Sequence, residues 1–493
     1  MFQKLAVIVI GLAFLYGSAG AQDSKTVIAN AQKALGDLQS ITYSGEAKDV
    51  AFQQCGANAA DMMCRGTHDP MRPIHNYVRV VDVTASASRA TGATNNIGAG
   101  GSTTVTPGTF FQQVTPQQAD VSQSWGNSLE FYITPWGFLK GAAANNATVS
   151  HRKAEGKNYT VLTWSPTVKA PSGKNYVING YVDEQNRVAR VETWLGENIM
   201  GDMHILATYT GWKDFGGVLA PAKIVETRGG WPFFEVEVSA AKANPPDVAT
   251  LVPSPSAGGR GRGGAPPAPP SLTVTSEKLG DGLYRLTTGP GSYDSVIVEF
   301  KDYVMMLEAG QSIARAQAYV AETKKLIPNK PIRYVFNTHP HSDHTGGLPV
   351  LVAEGATIIT QKNNEEFLEK ALNTPRTLLD DVLAKNPKKA KIEAVAEKKV
   401  YSDGSRTVEM YHTYPVPHSN GLLIAYLPKE KVLFQGDFSV NPGEPANDHV
   451  NALVPILKKL NLDFDRYINV HTSAEPQSKA DVWKAYELRN GGH

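Results

Sequence analysis

The chain has 493 residues, 41% of them hydrophobic and 19% charged, with 48 Lys plus Arg against 47 Asp plus Glu. That length exceeds one compact core and points to two domains. A net charge of +1 excludes a general electrostatic pull toward nucleic acid or an anionic membrane, so no nucleic-acid partner is expected.

Residues 1–21 read as a signal peptide. Lys4 supplies a positive start, Leu5 to Tyr16 an apolar run, and Ala19-Gly20-Ala21 a small-residue cleavage site before Gln22. The run is too short to span a bilayer, so no transmembrane anchor is expected after cleavage, and the mature protein is expected to be periplasmic or secreted. In such an oxidising compartment Cys55 and Cys64 are expected to close a loop as a disulfide.

Residues 22–252 form the expected N-terminal domain, mainly antiparallel β. A helical pattern (Val27, Ala31, Ala34, Leu35, Leu38) leads into the strand-like ITYSGEA. YVRVVDV, LEFYI, YTVLTW, NYVINGYVDE, RVARVETWL, ILATYTGW and FFEVEV then read as strands separated by Gly, Pro and Asn clusters. Gly92 to Thr106, rich in Gly, Ser, Thr and Asn, reads as a loop. His68, His75, His151 and His204 are scattered and read as ordinary surface or core histidines. With its late APAKIVETRGGWPFFEVEV hairpin, the order resembles the half-barrel of bacterial lipoprotein-carrier-like domains, and that resemblance implies a hydrophobic ligand.

Residues 253–271, PSPSAGGRGRGGAPPAPPS, hold no large apolar side chain and read as a Pro/Gly-rich linker. Nothing in them would lock the flanking halves together. Strands and helices alternate in residues 273–493: LYRLTT, SVIVEF and YVMMLEA as strands, a helix from Ile313 to Leu326, the strand RYVFN, the strand TIIT, and a helical stretch through Leu383. Strands at TVEMYHTYPV, LLIAYLP and KVLFQ follow, then a helix from Asp448 to Leu460, the strand YINV and a helix from Lys479. Such alternation suits a sheet core flanked by helices.

The chemistry concentrates in Asn337-Thr338-His339-Pro340-His341-Ser342-Asp343-His344-Thr345-Gly346-Gly347, directly after an apolar strand. Three imidazoles and a carboxylate so close together are costly to bury without a cation. His339 and His341 (i, i+2) can turn to one side, and Asp343 and His344 can reach a second centre. Imidazole and carboxylate suit zinc where a coordination position stays open for water. Gly346-Gly347 suits close backbone approach beside such a loop.

HPHSDHTGG resembles the HxHxDH signature of the metallo-β-lactamase superfamily. The resemblance spans residues 273–493 and implies an α/β fold: an αββα sandwich with a metal site at one edge. Its further ligands fall on His418 in VPHSNG, Asp437 in VLFQGD and His471 in YINVH. It implies one zinc on His339, His341 and His418, a second on Asp343, His344 and His471, and Asp437 bridging both, with Asp343 also catalytic as the group that orients a shared water. His412, read as lying within its strand, and His449, read as surface or second-layer, are left out of the set. NVHTS around His471 and the absence of Gly before His418 depart from the commoner pattern and bear on pocket shape, although no ligand type changes. Asp437, at a position that is Cys in one zinc β-lactamase class, resembles the glyoxalase II, lactonase and phosphodiesterase branches, while HTSAEP is similar to some true lactamases.

The implied activity is metal-dependent hydrolysis of an ester, thioester, lactone or amide, a β-lactam among them. Two alternatives stand beside it: oxidation chemistry with iron on the same ligands, as in sulfur dioxygenases, and a lipid-binding protein with a subsidiary metal domain.

Overall fold

The computed structural model describes residues 23–50, 71–96, 106–122, 124–252, 272–289, 293–471 and 475–491. The expected signal peptide, Cys55, Cys64, His68 and the expected linker lie outside the described residues.

After the helix Ser24–Ala34, the N-terminal half is an eleven-stranded antiparallel sheet. It runs from the edge strand Thr106–Val114 through Ala87–Asn96, Arg72–Asp82, Ser40–Asp49, Trp231–Ala243, Lys223–Arg228, Gly201–Thr210, Val188–Glu197, Ile178–Val182 and Lys157–Trp164 to Thr148–Ala154. The expected late hairpin forms, turning through Gly229 and Gly230 at φ of 59° and 85°, angles that glycine adopts without strain.

Two expectations fail here. LEFYI is not a strand but lies at the end of the helix Trp125–Tyr132. Its buried residues include Trp125, Ser128, Leu129 and Tyr132 at helical spacing, with Phe131 buried beside them, and Ser124 caps the helix by accepting from Asn127 N. A second helix, Pro135–Ala144, follows with Thr134 as its cap and proline in the first turn. Gly92 to Asn96, read as loop, belong to a strand that pairs in full register with Thr106–Val114; cross-strand pairing overrode weak local propensity. Trp125, Phe131, Tyr132, Phe138 and Trp164 fill the space between these helices and the sheet.

His204 proves structural. Its Nε2 lies 3.2 Å from Glu192 Oε2, while Asn179 and Tyr181 donate to Glu192 Oε1 at 3.0 and 2.7 Å. Burial works to raise the Glu192 pKa, but these bonds from His204, Tyr181 and Asn179 prevail and bring it down to about 2. A carboxylate depressed in the folded state stabilises above its unfolded pKa, and that contribution fades as pH falls through the folded value. Glu192→Gln should therefore cost about 1–3 kcal/mol at neutral pH and progressively less on acidification. Urea unfolding at pH 7 and pH 3 measures this; equal losses at both would refute it.

The C-terminal half stacks two sheets. The first orders Thr275–Gly280, Leu283–Thr287, Ser295–Glu299, Val304–Leu307, Ile332–Phe336, Thr357–Gln361 and Lys391–Val395; the second orders Lys398–Ser402, Thr407–His412, Leu423–Leu427, Val432–Gln435 and Arg466–Asn469. Period-two alternation sets the layers. Met305 and Leu307 point into the core between the sheets with Phe336, Val408, Ala425 and Phe434, whereas Val304 and Met306 face the helix Ile313–Leu326. The helices Asp448–Leu460 and Lys479–Asn490 cover the second sheet. The helical stretch expected through Leu383 is broken: a 3₁₀ turn Lys362–Asn364 and the helix Glu365–Leu372 give way to a loop, and a short helix resumes at Val382–Lys385. Pro375 accounts for the break, since the residue before a proline is disfavoured in helix.

That loop, and not the linker, ties the two halves together. Asp202 accepts from the backbone N–H groups of Thr377 and Leu378, both at 2.9 Å, and Arg376 donates to Asn198 O at 2.8 Å. Phe367 meets Trp231 edge-on at 6.3 Å, and the Lys370 ammonium lies 4.3 Å from the same indole. The locking residues lie far from the linker in sequence.

Candidate metal centre

The predicted residues sit along one edge of the sandwich, where strands end. His339 follows Ile332–Phe336, Asp437 follows Val432–Gln435 and His471 follows Arg466–Asn469; His418 lies between the strands Thr407–His412 and Leu423–Leu427. Asn337 shapes the motif loop, its side chain donating to the carbonyls of His339 and His344 at 2.9 and 3.2 Å. A short helix, Ser342–Thr345, starts on the His341 carbonyl and turns Asp343 and His344 toward the second group. Gly346 and Gly347 are there for clearance: a Cβ would fall 2.1 Å from Gln311 O or 2.4 Å from Ala309 O, so the loop packs directly on neighbouring backbone.

The side chains converge in two groups, His339, His341, His418 and Asp437 in one and Asp343, His344 and His471 in the other, each with its ligand atoms within 4.8 Å of one another. Asp437 spans them. Its Oδ2 lies 3.0 Å from His418 Nε2, and its Oδ1 lies 2.8 Å from His344 Nε2 and 2.9 Å from His471 Nε2. His339 and His418 bring their Nε2 atoms to 3.0 Å, two imidazole edges facing one another in a buried space.

Burial, with the neighbouring imidazoles of His344 and His341, pushes His339 well below its ordinary pKa, so it is neutral. The Thr338 hydroxyl sits 3.0 Å from His339 Nδ1, so Nε2 is the ring nitrogen turned toward the centre. Burial also opposes charge on His344, but Asp437 and Glu308 outweigh it and hold that group well above its ordinary value. Asp437 goes the other way: burial alone would raise it, yet His344, His418 and His339 keep it well below the usual carboxylate range. Seven nitrogen and oxygen donors with such a charge pattern fit a divalent cation.

The model of the metallo-beta-lactamase superfamily matches residues 288–486. This region is a metallo-β-lactamase domain. Similar solved structures include a metallo-beta-lactamase from Pontibacter korlensis, at 16% identity and TM-score 0.34 over 44% of this chain and 99% of that one. The DIM-1 metallo-beta-lactamase matches at 18% identity and TM-score 0.34 over 45% and 98%. One from Erythrobacter litoralis matches at 16% and 0.33 over 44% and 96%. The metallo-β-lactamase domain and its histidine–aspartate cluster support a metal-dependent hydrolase with a divalent metal cofactor.

Around the metallo-β-lactamase centre the structure also places a residue that the sequence did not mark. Glu308 is buried at φ 67°, accepts from Thr338 N at 2.6 Å, and lies 3.5 Å from His344 Nδ1. Nothing in the local sequence separates it from any other polar residue ending a strand. His449 is buried, its ring 4.7 Å from His418, so of its two readings the surface one is corrected. His412 is the last residue of its strand rather than internal to it; its Nε2 lies 2.8 Å from Asn420 O, outside both groups.

Proposed function

We propose that this chain is an exported hydrolase holding one zinc ion on His339, His341 and His418 and a second on Asp343, His344 and His471, with Asp437 shared between them, and that it cleaves an ester, thioester, lactone or amide. The observation that carries this reading is Asp437, whose two oxygens reach into both histidine groups. When bound, two such cations lower the pKa of a shared water and polarise a carbonyl oxygen.

The protein's own residues do the rest. Asp343 orients the water and accepts its proton. Asp437 balances the charge of the histidines around it. Thr338 and Glu308 hold the outward Nδ1 edges of His339 and His344, which leaves their Nε2 edges facing inward. No serine, cysteine or lysine nucleophile is required. The apolar run Leu5 to Tyr16 before Ala19-Gly20-Ala21 supports the exported part of the reading.

Elemental analysis of purified protein should find about two metal ions per chain. No transition metal after zinc loading would overturn the proposal, and iron in protein prepared without added metal would move it to oxidation chemistry. Turnover of nitrocefin, of lactones or of a glutathione thioester then assigns the substrate class.

A further inference from the structure

Tyr293 lies on the entry to the strand Ser295–Glu299 and is only half-buried. Its hydroxyl donates to Asp343 Oδ2 at 3.2 Å. That oxygen is also the one facing the second histidine group, 3.6 Å from both His344 Nε2 and His471 Nε2. The tyrosine ring meets His471 edge-on at a centroid distance of 4.6 Å. Its ring also meets that of His344 edge-on at 6.1 Å, so one side chain contacts all three members of that group, and it belongs to neither the HxHxDH motif nor the ligand set.

Its position is held from several directions. Tyr319 donates its hydroxyl to the Tyr293 carbonyl at 2.6 Å, and the Arg315 guanidinium lies 5.3 Å from the ring centre. The next residue, Asp294, donates its backbone N–H to Val470 O at 2.8 Å, joining this segment to the strand end that carries His471. Asp294 is itself locked by a fully buried pair with Arg285 at 2.6 Å. The Tyr293 hydroxyl is thus delivered to Asp343 by rigid backbone, as a group that orients a ligand must be.

We propose that Tyr293 is a positioning residue of the Asp343–His344–His471 group: its hydroxyl holds the Asp343 carboxylate, and its ring sets the plane of His471. This rests on the two-metal reading above and deepens it. A purely packing role would depend on the ring alone and be indifferent to the hydroxyl.

Tyr293→Phe separates the two, because it keeps the ring. Zinc affinity is measured by stepwise competition with a chromophoric chelator on the full chain, together with kcat, KM and thermal unfolding of the metal-free protein. One of the two zinc affinities should fall about 10-fold or more, as when a group that orients a metal ligand is removed. The other affinity, KM and the metal-free unfolding temperature should hold while kcat drops. Two unchanged affinities beside a wild type that binds two ions would overturn the inference alone. Equal weakening of both sites with a lowered unfolding temperature would overturn it too, since that is the mark of a packing defect. A wild type that takes up no metal would overturn the two-metal reading and this inference with it.

Discussion

Asp343→Asn should lower kcat by about 10²-fold or more while the protein stays folded. The substitution preserves shape but removes the charge that lies 3.6 Å from both His344 and His471, and it removes the proton acceptor proposed for the water. His412→Asn is the control within the same half. His412 lies beside Asn420 O, stacks on Tyr414 at 5.9 Å and takes no part in either histidine group, so its loss should change kcat by less than about threefold. Circular dichroism of both variants checks folding. Near wild-type turnover in Asp343→Asn, with loss in His412→Asn, would reverse the assignment.

Residues 272–493 produced without the N-terminal half should not give a stable, cooperative fold. Separation would uncover Phe367, which meets Trp231, and Leu378, which packs beside Gly196, both buried here, and would strip Arg376 of its acceptor at Asn198. Re-exposing two such side chains costs about 3–4 kcal/mol even with partial relaxation, a large part of the roughly 5–15 kcal/mol that keeps a domain folded. Near-ultraviolet circular dichroism and dye binding should report loose packing in the fragment. Asp202→Ala in the full chain is the milder form of this test. It removes the acceptor for Thr377 N and Leu378 N and should cost about 1–3 kcal/mol of stability without changing KM. A monomeric fragment with sharp unfolding and full kcat would show that the halves are independent.

The sequence by itself determined the elements whose cause is local. The helices Ile313–Leu326 and Asp448–Leu460 match their apolar periodicity, and the two sheets appear as alternating short strands. The motif around His339 is legible because its four side chains are neighbours in the chain, so their cost of burial is visible without a fold. His418, Asp437 and His471 were reached only through a family resemblance. His344 and His471 are 127 positions apart, and nothing local says that their Nε2 atoms meet at 3.0 Å.

Tertiary structure alone decided the rest. LEFYI has strand composition, but Leu129, Phe131, Tyr132 and Ile133 are all buried between the helices and the sheet, and that packing selects helix. Gly92 to Asn96 become strand because a partner strand lies beside them. The joining of the halves, the Glu308 contact to His344 and the Tyr293 hydrogen bond to Asp343 all unite residues distant in sequence. Their energies arise from desolvation and directed hydrogen bonds that exist only once the backbone has brought the partners within about 3 Å.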